Sequence, residues 1–469
     1  MLGAIDKLLF LFALTGLFGQ SVLAQDIASS PYSRYGIGDL QPAGVTQNLA
    51  MGGVNVAVYS SHYLNYSNPA AYGRLVLTTF DAGINAGLLQ LRNDSKQENR
   101  SDASVGYFSM AFPLKPKKSS FGFGIVPLSH VGYSINDQQV NVNGDAELHV
   151  YEGKGGLNQI FLSTGFTPFK QLTAGVTASY LFGDISQQRL IEFSNSSYLN
   201  TRLTDNRDQN GFHYNFGLQY TFDSLRLSPS DSVILFRKQI AVLEDSLTIL
   251  FRISKNFDQP SDTAGNSAAV VSVNEKMKAL RSAAAKVNRR HQRGDWGIVL
   301  GATYSPSSRL NANRSTVAET FRYLDPISRD QIVVKDTTYN MQNESGVVQL
   351  PSGLGFGVSI RKGTRWLISS DIRLQDWSIY RSYNNSDSLA NSYRISGGIQ
   401  FVPDDRSFAG FWKQVQYMTG AHYSNSFLSL RGTQLTEIGV SAGLGIPVRR
   451  GMAHIRLMSE LGRRGTSEN

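Results

Sequence analysis

Apolar and polar residues alternate strictly in segment after segment of this chain. The pattern is clearest over residues 211–222, where one parity is almost entirely aromatic or aliphatic. Its apolar members are Phe212, Tyr214, Phe216, Leu218, Tyr220 and Phe222. The residues between them include His213, Asn215, Gly217 and Gln219. Because successive side chains of a β-strand point to opposite faces, the pattern predicts a strand with one apolar and one polar face.

Strands of this kind occur in two all-β architectures. A soluble sandwich hides the apolar faces in a core, whereas a transmembrane barrel turns them to lipid and points the polar faces into a lumen. Here the apolar faces are rich in aromatic residues, and the opposite faces carry charged residues such as Asp371, Arg373 and Glu437. Charge is costly in a dry core and tolerable in a wet lumen. The alternation therefore predicts an all-β transmembrane β-barrel.

Composition argues against several other classes. The 469 residues include no cysteine, which excludes disulfides, thiolate metal sites and thiol nucleophiles. The hydrophobic fraction of 41% is low for a helical membrane protein, and no segment after residue 24 is suited to cross a membrane as a helix. The net charge is +9, but Lys and Arg are dispersed apart from a cluster near residues 286–293, so we expect no nucleic-acid partner.

About thirteen segments carry the period of two, and each is long enough for a tilted strand to cross a bilayer. They are residues 75–90, 103–114, 120–135, 147–168, 172–185, 209–222, 295–306, 353–361, 365–379, 392–402, 414–427, 435–447 and 452–461. Closed bacterial barrels usually have an even number of strands. We therefore expect about fourteen antiparallel strands, and either a final strand is missing from this sequence or the count is off by one.

Short turns alternate with longer polar loops between these segments. The short turns are residues 115–119, 168–171, 361–364 and 447–451, and the longer loops are residues 136–146, 186–208, 307–350, 380–391 and 428–434. In outer-membrane barrels the short turns face the periplasm and the long loops face the exterior. Residues 223–294 break this rule, because they occupy the place of a short periplasmic turn.

The insertion at 223–294 has a helical period. Its apolar residues recur three and four apart in two runs, which are Val233, Phe236, Ile240, Leu243, Leu247 and Leu250, and then Val273, Met277, Leu280, Ala284 and Val287. A stretch with Pro260 and Gly265 separates the runs, so we expect a helical periplasmic hairpin. The two helices either pack on each other or form a docking site for a periplasmic protein partner.

The N-terminus has the features of an export signal. Lys7 precedes an apolar run from Leu8 to Phe18, and small residues end at Ala24, where cleavage is expected. Export followed by barrel strands predicts a multi-pass protein of the Gram-negative outer membrane. The expected organisation is a signal peptide (1–24), a compact irregular segment (25–73), barrel strands (74–222), the helical periplasmic insertion (223–294) and further barrel strands (295–469).

Several stretches resemble the outer-membrane long-chain fatty acid transporters. Residues 50–72 run from Ala-Met-Gly-Gly-Val to Asn68-Pro69-Ala70, and Asn-Pro-Ala is the plug motif of that family. Residues 350–378 combine a Leu-Pro pair, a glycine-rich strand and Asp-Trp-Ser in the family's order. Residues 30–36, Ser-Pro-Tyr-Ser-Arg-Tyr-Gly, resemble the mature start of the Bacteroidota branch. The resemblance covers the barrel overall and is residue-level at these stretches.

The resemblance implies a fourteen-stranded barrel with an N-terminal plug, residues 25–73, inside it. It also implies that the third strand kinks inward and leaves a lateral exit into the membrane. In this chain the third strand contains Gly124 and Pro127, and a proline cannot donate to a strand ladder. These two residues are therefore candidates for a lateral opening. The alternative is that Pro127 lies in a harmless bulge or near a strand end.

One polar constellation could serve the barrel interior. His454, Arg456 and Glu460 share a strand face that can reach Glu437 on the neighbouring strand, and Asp371 and Arg373 belong to the same candidate lumen network. The network either holds the plug to the wall or binds a substrate carboxylate. The seven histidines lack metal-ligand spacing, and no nucleophile or phosphate motif has its required context. We expect no metal, no cofactor and no enzymatic activity.

Two functions remain open from the sequence. The first is passive outer-membrane transport of hydrophobic small molecules, such as long-chain fatty acids, through a plugged barrel with a lateral exit into membrane lipid. The plug motif and Pro127 favour it. The second is a non-transporting barrel scaffold in an outer-membrane secretion or surface-anchoring complex. The insertion, with its possible periplasmic partner, favours this second function.

Overall fold

The computed structural model describes most of the barrel and the plug. The described residues are 30–60, 63–92, 97–142, 144–195, 197–222, 239–240, 242–245, 271–283, 296–325, 331–387, 389–404, 410–430, 432–448 and 453–465. The predicted signal peptide, most of the predicted insertion and any strand after residue 465 lie outside them. In the insertion, residues 239–240, 242–245 and 271–283 are helical. Arg281 Nη2 lies 2.9 Å from Glu244 Oε1 and joins two of these segments.

Within the described part of the chain, no helix combines the length and the apolar character needed to cross a membrane.

Strands make up most of the described chain. They are β1 (Asp39–Leu40), β2 (Thr79–Arg92), β3 (Gln97–Lys115), β4 (Ser119–Pro127), β5 (Ser129–Val140), β6 (Ala146–Phe166), β7 (Leu172–Phe193), β8 (Asn200–Phe222), β9 (Trp296–Ser305), β10 (Ser308–Tyr323), β11 (Ile332–Leu350), β12 (Gly353–Lys362), β13 (Trp366–Gln375), β14 (Arg381–Ser382), β15 (Ser392–Phe401), β16 (Gln416–Leu430), β17 (Thr433–Val448) and β18 (Ala453–Arg464). Every ladder between them is antiparallel.

The strands follow one another around a barrel wall. Four wall strands are each made of two consecutive segments, which are β4 with β5, β9 with β10, β11 with β12, and β13 with β14. The strand β1 belongs to the plug and pairs with β5. The described wall therefore has thirteen strands, one fewer than the fourteen expected and as many as the segments with a period of two. Arg456 on β18 lies 3.5 Å from Asp81 on β2. Because these strands begin and end the wall, the ion pair shows that the sheet curls until its two ends meet.

The faces of the wall are arranged opposite to those of a soluble protein. On β8 the side chains of Phe212 and Phe216 are 62% and 46% exposed, whereas Gln219 and Thr221 are fully buried. The same alternation recurs on β12, where Leu354, Phe356 and Val358 are exposed. Large apolar side chains exposed in a continuous band, with polar side chains buried behind them, are what a lipid-facing barrel requires. The predicted all-β barrel is confirmed, and the sandwich is excluded.

Four of the predicted long loops are wrong, because most of their residues lie in strands. One of them, residues 428–434, contains the end of β16 and the start of β17. Residues 136–146 include the end of β5, residues 186–208 include parts of β7 and β8, and residues 307–350 are mostly β10 and β11. The β10–β11 ladder runs from Ser308 opposite Leu350 to Tyr323 opposite Ile332. These strand portions extend beyond the apolar band, where outward side chains such as Arg309 and Asn311 are polar. The period of two therefore fades in the sequence although the ladder continues.

The plug fills the inside of the wall with little regular structure. Its elements are the short helices Pro31–Arg34, Thr46–Leu49 and Pro69–Arg74, together with β1. Most of residues 45–58 and 63–75 are buried, including Met51, Val54 and Tyr72. They pack against the inward side chains of Tyr107, Phe161 and other wall residues. The interior at this level is thus a packed core.

Replacing Val358 with arginine tests the lipid-facing assignment. Val358 lies near the middle of β12 and points outward. An arginine facing hydrocarbon is expected to lower the free energy of unfolding in lipid vesicles by about 2–4 kcal/mol. Urea unfolding followed by circular dichroism measures it. The Val358→Ala variant removes the side chain without adding charge. Equal stability of the two variants would contradict a lipid contact at this position.

Candidate functional site

The plug touches the wall at glycines. A Cβ atom at Gly217 would lie 2.0 Å from Asn68 Oδ1, one at Gly301 would lie 2.2 Å from the Val56 carbonyl oxygen, and one at Gly420 would lie 2.1 Å from the Met51 carbonyl carbon. The same close approach to plug residues occurs at Gly165, Gly175, Gly357 and Gly398. Each of these glycines is on a different strand. Any side chain at these positions would displace the plug or the wall.

The Asn68-Pro69-Ala70 motif fixes the plug to itself. Asn68 is fully buried, and its Nδ2 donates to the Val56 carbonyl oxygen at 2.6 Å. Its Oδ1 accepts from the Ala70 amide at 3.0 Å and so caps the short helix Pro69–Arg74. Pro69 stands at the first position of that helix, where its missing N–H costs no hydrogen bond. The motif therefore ties residues 51–58 to residues 68–74, and Gly175 and Gly217 of the wall receive it.

Charged wall residues hold the plug backbone. Asp371 on β13 is buried, and its Oδ2 accepts from the Val56 amide at 2.7 Å and from the Asn55 amide at 2.5 Å. Arg373 donates to the Gly53 carbonyl oxygen at 3.1 Å and also to Asn55 Oδ1. Hydrogen bonds to charged groups are stronger than neutral ones and compensate burial of the charge. The charged groups of Asp371 and Arg373 thus bind the plug.

Tyrosines secure the neighbouring part of the plug. The Tyr66 hydroxyl accepts from the Gly44 amide at 2.9 Å and lies 3.1 Å from the Gly44 carbonyl oxygen. Burial raises the pKa of Tyr66 to about 12, so the hydroxyl stays protonated and can donate to that carbonyl. On the wall, the Tyr107 hydroxyl bonds to the Thr46 amide at 3.1 Å and to Asp81 Oδ1 at 3.0 Å. The start of the helix Thr46–Leu49 is held in this way.

A second apolar layer crosses the lumen away from this part of the plug. After β13, residues 376–383 form what we call the inner bulge, because Trp377 and Tyr380 point into the barrel and are almost completely buried. The Trp377 ring stacks on Phe427 with centroids 4.2 Å apart. The cluster draws on many strands, with members Ile37, Leu157, Leu181, Leu310, Ala312, Val348, Leu350, Trp377, Tyr380, Phe427, Leu428 and Leu435. The lumen is therefore packed at this level too.

The wall is split beyond Pro127. The ladder between β3 and β4 runs as far as Phe108 opposite Ile125. The chain then turns inward, and β5 pairs with β1 through Ser129 opposite Leu40, while the Ser30 amide donates to the Gly132 carbonyl oxygen at 3.0 Å. Among the described residues, the part of β3 from 97 to 107 has a ladder with β2 alone. A gap thus separates β3 from β5.

The two residues predicted for a lateral opening lie at different places relative to this gap. Pro127 ends β4 and lies at the base of the split. Gly124 belongs to the paired part of β4, where a Cβ would lie 2.4 Å from the Phe108 carbonyl oxygen. On the other side of the break, Gly156 of β6 has φ +141°, and a Cβ there would lie 2.4 Å from the Ser129 carbonyl oxygen. Gly156 allows the close approach of β6 to the turn between β4 and β5.

The predicted lumen network divides into separate groups. The Glu437 carboxylate lies 3.1 Å from His422 Nε2, 3.8 Å from Arg394 Nη1 and 3.9 Å from Arg464 Nε. Arg464 also reaches Asp39 of the plug at 2.9 Å. The pairing expected between Glu437 and His454 or Arg456 does not form.

The other members of the predicted network lie elsewhere. His454 Nε2 is 3.2 Å from Gln416 Nε2, and Arg456 pairs with Asp81. Glu460 is exposed. Two of the six predicted residues, Asp371 and Arg373, bind plug backbone directly. Among the described residues, no group of three or more His, Asp or Glu side chains is placed to hold a metal ion.

Sequence reasoning missed the wall glycines. Their signal was present, since Gly175 and Gly217 fall on the polar parity of strands whose other parity is strongly apolar. The inward role of Trp377 was also missed, because the Asp-Trp-Ser motif offers no period from which a direction can be read.

These features define a plugged antiparallel β-barrel. A family model described as BamG matches residues 5–240 and 272–469, and the chain therefore belongs to the BamG family. That name differs from the family that the sequence motifs resemble. No curated protein matches the chain.

Three solved structures resemble this chain at low sequence identity. A Pseudomonas aeruginosa FadL homologue is 9% identical with a TM-score of 0.47, over 91% of this chain and 90% of that one. The Pseudomonas putida toluene transporter TodX is 13% identical with a TM-score of 0.44, over 91% and 98%. The CymD monoaromatic hydrocarbon channel is 11% identical with a TM-score of 0.43, over 92% and 94%.

Neighbouring glycines on β15 test the contact between plug and wall. A Cβ at Gly398 would meet the Met51 carbonyl oxygen at 2.2 Å, whereas nothing lies within 4 Å of one at Gly397. Gly398→Ala is expected to destabilise the seated plug by about 1–3 kcal/mol through overpacking. Hydrogen exchange at the Gly52 amide, which donates to Ser441 Oγ at 2.9 Å, reports it. Exchange should accelerate in Gly398→Ala and not in Gly397→Ala. Equal exchange in both variants would contradict the contact.

Proposed function

We propose that this protein is a closed, non-conducting outer-membrane barrel that serves as a structural subunit of a larger membrane complex. The packed lumen carries the proposal. One apolar cluster joins Leu157 and Leu181 to Leu435, on the opposite side of the barrel, through Trp377 of the inner bulge. A pore for water or ions needs a continuous hydrated path, and close-packed apolar side chains exclude one.

The attachment of the plug to the wall also supports a closed, non-conducting barrel. Displacing the plug would leave the carboxylate of Asp371 and the guanidinium of Arg373 without their backbone partners. Hydrogen bonds to charged groups contribute more than neutral ones, so these contacts stabilise the seated plug. A plug held by so many wall contacts is suited to a rigid scaffold.

The proposed partner is a periplasmic protein that docks on the insertion, residues 223–294. The described parts of the insertion are helical, and its ion pair between Glu244 and Arg281 is largely exposed. A helical hairpin at the periplasmic end of a barrel can present a face to another protein. The lettered family name, BamG, is of the kind given to subunits of a complex.

The split in the wall favours a second candidate function. A hydrophobic molecule, such as a long-chain fatty acid, could enter from outside and leave sideways between β3 and β5 without crossing the plug. The inward turn after Pro127 and the pairing of β5 with β1 create this gap. Such a route would use the lateral gap and would leave residues 45–75 in place.

Proteoliposomes distinguish the two functions. Under the subunit proposal, liposomes carrying the protein release a trapped polar dye and take up a labelled fatty acid no faster than protein-free liposomes. Faster uptake of the fatty acid without dye release would replace the subunit proposal with lateral transport. Release of the dye would contradict both, since it requires an open lumen.

Removal of the insertion tests the docking role. A variant in which a short turn replaces residues 223–294 is expected to retain the barrel and lose periplasmic proteins that co-purify with the intact chain. Protease resistance of the strands in detergent checks that the barrel still folds. An intact barrel that keeps the same partners would rule out docking through this insertion.

A further inference from the structure

The short turns at one end of the barrel are basic. Exposed cations lie in the turns after β3, β6, β12 and β15, and we call them the basic rim: Lys115, Lys117, Lys118, Lys170, Arg365 and Lys413. Asp404 is the single acidic residue in the described parts of these turns. Its amide bonds to the Lys413 carbonyl oxygen at 2.7 Å. The basic rim is therefore a region of net positive charge.

The four turns of the basic rim form two pairs of adjacent turns. The Thr167 amide donates to the Lys118 carbonyl oxygen at 2.7 Å, which joins the turn after β6 to the turn after β3. The Val402 amide donates to the Arg365 carbonyl oxygen at 2.8 Å, which joins the turn after β15 to the turn after β12. The cations thus form two continuous patches on one edge of the wall.

Large apolar side chains surround these cations. Trp296, Trp366 and Trp412 are all exposed at this end, as are Phe169 and Leu114. The Lys362 ammonium lies 5.1 Å from the Trp296 ring centroid. Aromatic side chains at the edge of a barrel's apolar band mark the depth of the lipid headgroups. The basic rim is consequently placed where headgroup phosphates lie.

The opposite end of the barrel differs in charge. Described residues there include acids in and beside the long connections, among them Asp137, Asp145, Asp325 and Asp387. The end with the long connections carries both charge signs, whereas the basic rim is almost entirely positive. The two membrane leaflets therefore contact protein surfaces of different charge. Positive charge at headgroup depth attracts anionic lipid.

We propose that the basic rim binds anionic phospholipid headgroups of the leaflet that borders the short turns. The inference rests on the membrane location proposed above and does not depend on a protein partner. Lysine and arginine side chains reach the phosphates, while the flanking tryptophans and phenylalanines lie among the upper acyl chains. The site therefore selects phosphatidylglycerol-type lipids over zwitterionic ones.

Tryptophan fluorescence provides the test. Of the four tryptophans in the chain, three lie at the basic rim and Trp377 is buried in the lumen. The protein is reconstituted in bilayers containing brominated phosphatidylglycerol or brominated phosphatidylcholine, and quenching gives the relative association constant of each lipid. We expect preference for phosphatidylglycerol, at most about fivefold for each nearby cation at low salt, and weaker in high salt.

Paired variants separate the basic rim from general electrostatics. Arg365→Gln with Lys413→Gln, next to Trp366 and Trp412, should bring the preference close to one. The control, Arg322→Gln with Lys335→Gln, removes two exposed cations at the opposite end and should leave the preference unchanged.

Two outcomes would overturn the proposal: no preference in the unmodified protein, or an equal loss in both double variants. Absence of quenching by either lipid would instead contradict the membrane location itself. The complex-subunit proposal is tested independently, because this assay contains no partner protein.

Discussion

The close approach of the plug backbone to the barrel wall is the contact on which the rest of the structure depends. A wall of thirteen described strands encloses a lumen wide enough to hold water unless something fills it. The plug fills it because glycines such as Gly217 and Gly420 remove the side chains that would otherwise stand in its way. Backbone brought this close must have its polar groups satisfied. Wall side chains do so, for example Ser359 Oγ, which donates to the Ala57 carbonyl oxygen at 2.8 Å.

The seated plug and the split wall are two results of one rearrangement. The third wall strand leaves β3 after Pro127, and β1 of the plug then pairs with β5. The N-terminal segment thereby satisfies an edge that would otherwise carry unpaired backbone groups. Asp39 of β1 also pairs with Arg464 on β18, so the same short strand is linked to a distant part of the wall. The plug is thus part of the barrel's hydrogen-bonding scheme.

The sequence predicted the wall well because lipid imposes a period of two on every spanning strand. Segments such as 172–185 and 435–447 correspond to β7 and β17, with ends that differ by the portions outside the apolar band. The long strands β10 and β11 escaped prediction because their outward side chains are mostly polar and their buried apolar ones, such as Leu310 and Val348, face the lumen. Asp371 could be assigned to the lumen from its parity alone. Its partners, the amides of Asn55 and Val56, lie more than three hundred residues away and no local pattern reveals them.

The direction of the inner bulge was unpredictable for the same reason. Trp377 lies two residues beyond the end of β13, where the chain leaves the strand conformation and parity no longer fixes a side chain's direction. Only the assembled barrel shows that it stacks on Phe427. The packed lumen, on which the proposed function rests, therefore follows from tertiary contacts that the sequence pattern does not encode.

Solvent access to Trp377 tests the packed lumen most directly. In a variant with Trp296, Trp366 and Trp412 replaced by phenylalanine, Trp377 is the single remaining tryptophan. A dry interior predicts emission at short wavelength and no quenching by either aqueous acrylamide or brominated lipid. Quenching by acrylamide as fast as that of an exposed tryptophan would show water in the lumen and contradict the account.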